Sequence, residues 1–493
     1  MERFALRCAA IPIGLSLLAA CLALFAIDRE SVTLDESISI AYARSSWPDF
    51  GSIMTTREIN QSLYYVLLRG WIVLGSSEGA VRTLSAVATI ATVPILYLLA
   101  ERLFGFRPAL AAGLLLATNA FSVWYAQEAR GYALAMLLAT ACTYALVRAL
   151  ERPTVRWWAA YAFLATAGLY AHFFVGLVLL AHFIAVVVHP HARRGLGSLL
   201  VADAAVGVLA LPIAVVILST RGQAFAWLQF PSFDDLLVAG ALLLGVPRTS
   251  GGATAPIAVA IGAIASTLIV AGALVVRSSR YVGASTWGLL LVACWLLVPP
   301  IVALAASLVT PTFHPRFLIV ILPAIAVVAA LPLGRLPSGR VFAAAMIGLS
   351  ALWTTGIALQ AVELSKEDWR SATRAVLSRA TDQDGIVFVS DSVATPFAYY
   401  AVRDGGTRLV LTPIFPVLDW ERPRPILRDQ PRFEQAIAAA GERFPRVWLI
   451  VSHDSARETA AVKKLLLQRY VVADHESFEA IEVWVYEWAR GGL

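Results

Sequence analysis

Two adjacent carboxylates, Asp35 and Glu36, stand in the stretch "ESVTLDESISIAYARS" (30–45), just after the first apolar segment. Ionisable groups beside a bilayer are costly, so each one needs a reason. A carboxylate in such a place can take a proton from a hydroxyl as general base, or hold a cation. Successive helix residues point about 100° apart, so both acids cannot face one point. One is expected to face a cavity, while the other caps a helix end or pairs with a cation. "LDES" also suits a plain helix start, where the dipole favours carboxylates.

Other polar groups recur near apolar segments. "WYAQEARGYAL" (124–134) supplies Gln127, Glu128 and Arg130. "FHPRF" (313–317) supplies His314 and Arg316, and "YAHFF" (170–174) supplies His172. The loop after the first segment adds Glu58, Asn60, Tyr64 and Tyr65 as substrate contacts, with His172. Arginines suit the bidentate recognition of phosphate, so Arg130 and Arg316, with His314, read as phosphate contacts. Plainer readings stand beside these. Glu128 and Arg130 fit an interfacial belt with Trp124 and Tyr125, Arg316 can snorkel to headgroups, and His172 can be an interfacial histidine. His182, mid-segment, reads as a packing residue. In combination, an arginine-held lipid phosphate and a carboxylate base would let a hydroxyl attack a sugar carbon and expel the phosphate.

The elements that must position these groups follow from composition. The chain has 493 residues, 59% hydrophobic and 15% charged, where a soluble domain has about 25% charged residues. Residues 1–360 hold 36 Asp, Glu, Lys and Arg, and the much shorter 361–493 hold 36 as well. Two regions are therefore expected: a membrane part over 1–360 and an extracytoplasmic α/β domain over 361–493. The net charge of +6 does not indicate nucleic acid, because the basic residues of the first part fall in short loops. Cys8, Cys21, Cys142 and Cys294 lie in or beside apolar segments and form no CxxC pair, so they read as small buried hydrophobes.

Hydropathy suggests eleven spans near 8–27, 79–100, 109–122, 130–149, 157–173, 174–189, 198–218, 255–276, 286–309, 317–333 and 340–360. The first suits a retained span better than a cleaved leader. With the N-terminus cytoplasmic, the inner loops carry Arg102, Arg107, Arg148, Arg152, Arg156, Arg193, Arg194, Arg277, Arg280, Arg335 and Arg340. The outer turns near 123–129 and 171–175 carry no Lys or Arg, as the positive-inside bias requires. An odd count then puts the C-terminal domain outside. Asp35, Glu36, Glu58, Glu128, Arg130, His172, His314 and Arg316 fall on that same face. Residues 63–75 and 236–246 are apolar but short, and read as interfacial or re-entrant helices within or near outer loops, the first of them 28–78.

In the C-terminal part, "GIVFVS" (385–390), "RLVLT" (408–412) and "RVWLIVS" (446–452) read as strands. Residues 431–444 and 456–470 read as helices, and 478–488 as a late strand or hairpin. The alternation predicts a small, mostly parallel sheet. It has no GxGxxG and no P-loop, so no nucleotide site is assigned.

At "LDES", "NQSLYYVLLRGW" (60–71), "YAQEARGYAL" (125–134) and "HPRFLIVILPAI" (314–325), the chain resembles bacterial membrane glycosyltransferases related to protein O-mannosyltransferases and to the lipid A aminoarabinose transferase. A "KEDWR" stretch (366–370) before an outer α/β domain is also like many members. The resemblance implies a polytopic helical membrane protein of the C-type glycosyltransferase architecture in a bacterial inner membrane. It implies sugar transfer from a polyprenyl-phosphate donor to a lipid, glycan or protein acceptor, on the extracytoplasmic side, with inversion. By the same resemblance Asp35 is the base, Glu128 assists, and Arg316 contacts the donor phosphate. Many relatives have His-Pro-Pro-Leu-Tyr where this chain has Asn60-Gln61-Ser62-Leu63-Tyr64. No cofactor is implied with certainty. A divalent metal is left open, with no dense ligand cluster to hold it. The rival functional classes are a flippase of lipid-linked saccharide and a non-catalytic assembly partner. Against the first, no internal repeat is evident and the acids gather at one face.

Overall fold

A computed structural model of the chain describes residues 2–489, apart from 57, 220–227, 278–285, 390, 406–410, 416–434, 437–442 and 454–455. Residues 408–410, Arg280 and most of the helix expected over 431–444 therefore lie outside the described residues. The described chain forms two compact units. The first comprises Met1–Ile27, Gly51–Trp71 and Arg82–Leu364, and the second Asp28–Phe50, Ile72–Val81 and Ser365–Leu493. Composition divides the chain once, near residue 360. Contacts divide it discontinuously and group the start of the first loop with the C-terminal region.

The first unit is helical. Its helices include α1 (Glu2–Leu24), α4 (Ser62–Trp71), α5 (Glu78–Phe104, from Arg82 on), α6 (Phe106–Ala117), α7 (Ala120–Ala126), α8 (Tyr132–Glu151), α9 (Val155–Ala171) and α10 (Val175–Val188). They continue with α11 (Leu196–Leu209), α12 (Leu211–Ser219), α13 (Phe233–Leu243), α14 (Thr254–Arg277), α15 (Thr286–Ala306), α16 (Leu322–Leu333) and α17 (Gly339–Glu363). Among the described residues, six helical stretches are long and apolar enough to cross a membrane, and up to eight if each bent pair counts as one span. Eleven are expected from hydropathy. The difference lies in broken or short pieces. α6 and α7 meet at 56°, and the stretch from α10 into α11 bends by 118°. The first break is built by Asn119. Its Oδ1 accepts the Ser122 N–H at 3.0 Å to cap α7, and its Nδ2 donates to the Leu243 carbonyl at 3.1 Å.

The short apolar segments fold as α4 and α13, and Ser232 with Asp235 closes a capping box at the start of α13. His182 is wholly buried, with Nε2 2.9 Å from Thr143 Oγ1, in keeping with a packing role.

The second unit contains α2 (Leu34–Arg44), α18 (Trp369–Leu377), α19 (Ala394–Gly405) and a five-stranded sheet. The strands are β1 (Asp384–Phe388), β2 (Thr412–Phe415), β3 (Arg446–Val451), β4 (Tyr470–Phe478) and β5 (Ile481–Trp488), in the order β2-β1-β3-β5-β4. β1 pairs β2 and β3 in parallel. β5 pairs β3 and β4 antiparallel, so the sheet is mixed rather than mostly parallel. The correction comes from the end of the chain. Only two residues separate β4 from β5, one of them Ala480 at φ 61°, and so short a link makes a hairpin rather than a crossover. Val387, Val447, Leu449, Leu466 and Tyr486 form the core on one face. Trp369 and Trp448 are fully buried, and truncating such a side chain costs about 3–5 kcal/mol.

Candidate active site

In the second unit, α2 explains the paired acids. Thr33 caps the helix: its hydroxyl accepts the Glu36 N–H at 3.4 Å, and Glu36 Oε2 accepts the Thr33 N–H at 3.0 Å. This is a capping box. Glu36 is fully buried by that duty, whereas Asp35, one residue earlier, is half-buried. Glu36 thus has a duty at the helix start. The helix start is further held by Glu367, whose Oε2 accepts the Leu34 N–H at 2.9 Å.

Glu78 anchors the same unit. Its carboxylate receives Arg370 Nη2 at 2.9 Å, the Tyr400 hydroxyl at 3.0 Å and Arg403 Nη1. Tyr400 in turn accepts the Val32 N–H at 2.7 Å. A buried carboxylate needs this many donors.

The first unit gathers most of the remaining candidates. Arg130 Nη1 donates to the Tyr65 hydroxyl at 3.0 Å, and that hydroxyl donates to Glu58 Oε2 at 3.3 Å. Glu128 and Arg130 are buried in the turn before α8. The Arg130 guanidinium lies 5.9 Å from the Tyr132 ring centre, and that of Arg316 lies 5.6 Å from the same ring. The His172 ring is 5.6 Å from Tyr132 and 5.0 Å from Phe317, and His314 is 5.6 Å from Phe317. Three loops thus meet around Tyr132 and Phe317, and Tyr65 reaches one of them through Arg130.

Local geometry gives several of these residues a fixed duty. His172 is buried at the C-cap of α9, and its Nδ1 accepts the Phe174 N–H at 3.3 Å, which leaves the proton of the neutral ring on Nε2. His314 likewise caps the turn Pro315–Ile321 by accepting the Arg316 N–H on Nδ1 at 3.3 Å. Asn60 is expected as a substrate contact, yet its Oδ1 accepts the Phe173 N–H at 2.9 Å. Tyr64 is wholly buried, with its hydroxyl 3.0 Å from Ser85 Oγ, which donates to the Arg130 carbonyl. Both residues brace the turns that carry His172 and Arg130.

Sequence reasoning passes over Tyr132, Phe317 and Gln61. Gln61 Oε1 accepts the Gly131 N–H at 2.9 Å and so holds the turn behind Arg130. The one available signal is that Tyr132 and Phe317 each follow a candidate arginine by one or two positions. Among the described residues, no group of three or more His, Cys, Asp and Glu is placed to hold a metal ion, so no step is derived through one.

Residues 63–219 match the model of the dolichyl-phosphate-mannose-protein mannosyltransferase family. Among solved structures, the chain is similar to ArnT from Cupriavidus metallidurans bound to undecaprenyl phosphate, with a TM-score of 0.56, 12% identity and 98% of each chain covered. The fold is that of the C-type membrane glycosyltransferases. A second glycosyltransferase of this fold is the archaeal oligosaccharyltransferase AglB from Archaeoglobus fulgidus, in complex with an inhibitory peptide and a dolichol-phosphate. There the TM-score is 0.53 and identity 12%, over 98% of this chain and 74% of that one. No curated protein sequence matches the chain. Arg130, Tyr132 and His172 lie inside the segment that the family model matches, while Asp35 and Arg316 lie outside it.

Proposed function

We propose that the chain moves a sugar from a polyprenyl-phosphate donor to a hydroxyl of a glycan, lipid or protein acceptor on the extracytoplasmic face, with inversion. The observation that carries this reading is the approach of Arg130 and Arg316 to one ring, that of Tyr132, at 5.9 and 5.6 Å. Two guanidinium forks beside one ring suit the bidentate recognition of a phosphate. The solved relatives support the donor class, since one is bound to undecaprenyl phosphate and another to a dolichol-phosphate.

In this scheme Asp35 takes the acceptor proton. The freed oxygen attacks the anomeric carbon on the face opposite the phosphate. The bond from that carbon to the phosphate oxygen breaks, and the polyprenyl phosphate leaves with the bonding pair. The proton ends on Asp35. Arg130 and Arg316, with His314, hold the phosphate and neutralise the charge that grows on it. Glu128 assists from the second outer loop. Glu58 acts through Tyr65 on Arg130, and His172 completes the wall. The sugar is a hexose or a pentose.

The test is a membrane assay with undecaprenyl-phosphate sugars, scored on wild type and Asp35→Asn together. Loss of the base is expected to cut turnover by roughly 10²–10⁴-fold. Retained turnover removes Asp35 as base. The scheme also needs eleven crossings in a bacterial inner membrane and an N-terminus in the cytoplasm. A reporter fused after the last residue is then active only outside, and a cytoplasmic signal sinks that orientation.

A further inference from the structure

We propose that Glu367 is a positioning residue for Asp35, and that the C-terminal α/β unit is the mount of the helix that carries it. The inference rests on Asp35 as the base. It starts from a motif the proposed chemistry leaves unused. Lys366, Glu367, Trp369 and Arg370 of "KEDWR" (366–370) are bonded to residues 28–34.

The bonds are specific. The Lys366 N–H donates to Glu30 Oε2 at 2.9 Å. The Glu367 carbonyl accepts the Ser31 hydroxyl, whose oxygen accepts the Trp369 N–H at 3.1 Å. Arg370 donates to the carbonyls of Asp28 and Arg29 at 3.0 and 3.2 Å, and to Glu78. All these residues belong to the second unit.

The decisive contact is at the first residue of α2. A helix leaves its first N–H groups without partners in the helix. Thr33 and Glu36 satisfy each other in the capping box, and the Leu34 N–H goes to Glu367 Oε2 at 2.9 Å, 333 positions away. Asp35 is the next residue. The Glu367 carboxylate is itself fixed from two more sides. Its Oε2 accepts the Trp369 indole N–H at 2.7 Å, and its Oε1 lies 3.3 Å from His453 Nε2. Trp369 is wholly buried, so the carboxylate takes its direction from the core of the α/β unit. A negative charge at this helix end is favoured as well. The position of the Asp35 backbone is thereby set by a side chain of the C-terminal region. Small displacements of a reacting group slow a reaction strongly.

The experiment compares full-length wild type, Glu367→Ala, Glu367→Gln, Trp369→Phe and Asp35→Asn. Turnover uses undecaprenyl phosphate carrying aminoarabinose or mannose, and amide hydrogen exchange is followed over residues 33–36. Glu367→Ala is expected to lower kcat about tenfold or more with donor KM within twofold, and to speed exchange at Leu34. Glu367→Gln, which keeps an acceptor oxygen, is expected to recover most of kcat. Trp369→Phe keeps the aromatic core, removes the indole donor and is expected to show a smaller loss of the same kind. It carries the test if Glu367→Ala does not fold. An Asp35→Asn variant that turns over normally overturns the base reading alone. An inactive Asp35→Asn beside wild-type kcat and wild-type exchange in Glu367→Gln and Trp369→Phe, with Glu367→Ala either unaltered or unfolded, overturns the positioning role.

Discussion

Arg130 donates a hydrogen bond to the Tyr65 hydroxyl at 3.0 Å, and Tyr65 passes the contact on to Glu58 at 3.3 Å. The guanidinium is thereby oriented by a neutral hydroxyl, with the carboxylate one residue further back. Tyr65 links the two charged groups and fixes the direction of the Arg130 fork, the geometry on which bidentate recognition of an anion depends.

Tyr65→Phe tests that relay. The ring and its packing survive, and one hydrogen bond to a charged group is lost, worth about 1.5–3 kcal/mol. Donor KM is expected to rise about tenfold or more, with kcat changed less. Steady-state kinetics over donor concentration checks it, and a loss confined to kcat speaks against a binding role for the relay.

Arg316→Ala is expected to weaken use of the donor more than use of the acceptor. Arg316→Lys keeps the charge but not the fork, and should recover only part of the loss. The measurement is kcat/KM for donor and acceptor varied separately. Unchanged donor dependence removes Arg316 from the phosphate.

Gly131→Ala probes the turn behind Arg130. A Cβ at this position would stand 2.8 Å from the Ala171 carbonyl oxygen and 3.2 Å from Gln61 Oε1. Backbone cannot yield as a flexible side chain does, so a cost of about 1–3 kcal/mol is expected. Thermal unfolding in detergent should show a lower Tm, and an unshifted Tm would mean that the turn is looser than its contacts imply.

Asp384 gives the second unit a pH dependence of known sign. Its buried carboxylate meets Arg446 Nη2 at 2.7 Å, the Trp448 indole at 3.0 Å and the Thr381 N–H at 3.1 Å. Burial alone would raise its pKa, but the donors, led by Arg446 and Trp448, outweigh burial and hold it below 3.8. The stability it contributes is therefore present above the unfolded pKa, about 3.9, and is lost as pH falls through the lower folded value. Asp384→Asn is expected to cost roughly 2 kcal/mol at pH 7 and to flatten this part of the acid limb. Denaturant melts of the full chain at pH 7 and pH 3 measure both. Equal acid slopes in the two proteins would exclude the assignment.

Much of the architecture is legible in the order of residues. The uneven charge marks an apolar part and a part of ordinary composition, because transfer from water depends on local composition. The alternation of apolar and polar residues over 478–488 marks the last strand. "LDES" marks a helix start, and helical spacing says that its two acids cannot face one point, while the choice of Asp35 as base comes from the family resemblance. The order of residues does not distinguish which acid closes the cap. Thr33 and the burial of Glu36 decide that.

What only the tertiary structure decided are the partners far along the chain. Glu367 reaches Leu34 across 333 positions, and Arg316 shares the Tyr132 ring with Arg130. The apolar segment at 109–122 reads as one span in sequence, but the chain bends by 56° where Asn119 finds the Leu243 carbonyl. Hydropathy and periodicity are properties of a window of neighbours, whereas a hydrogen bond or a charge is satisfied by whatever group the fold brings within about 3 Å.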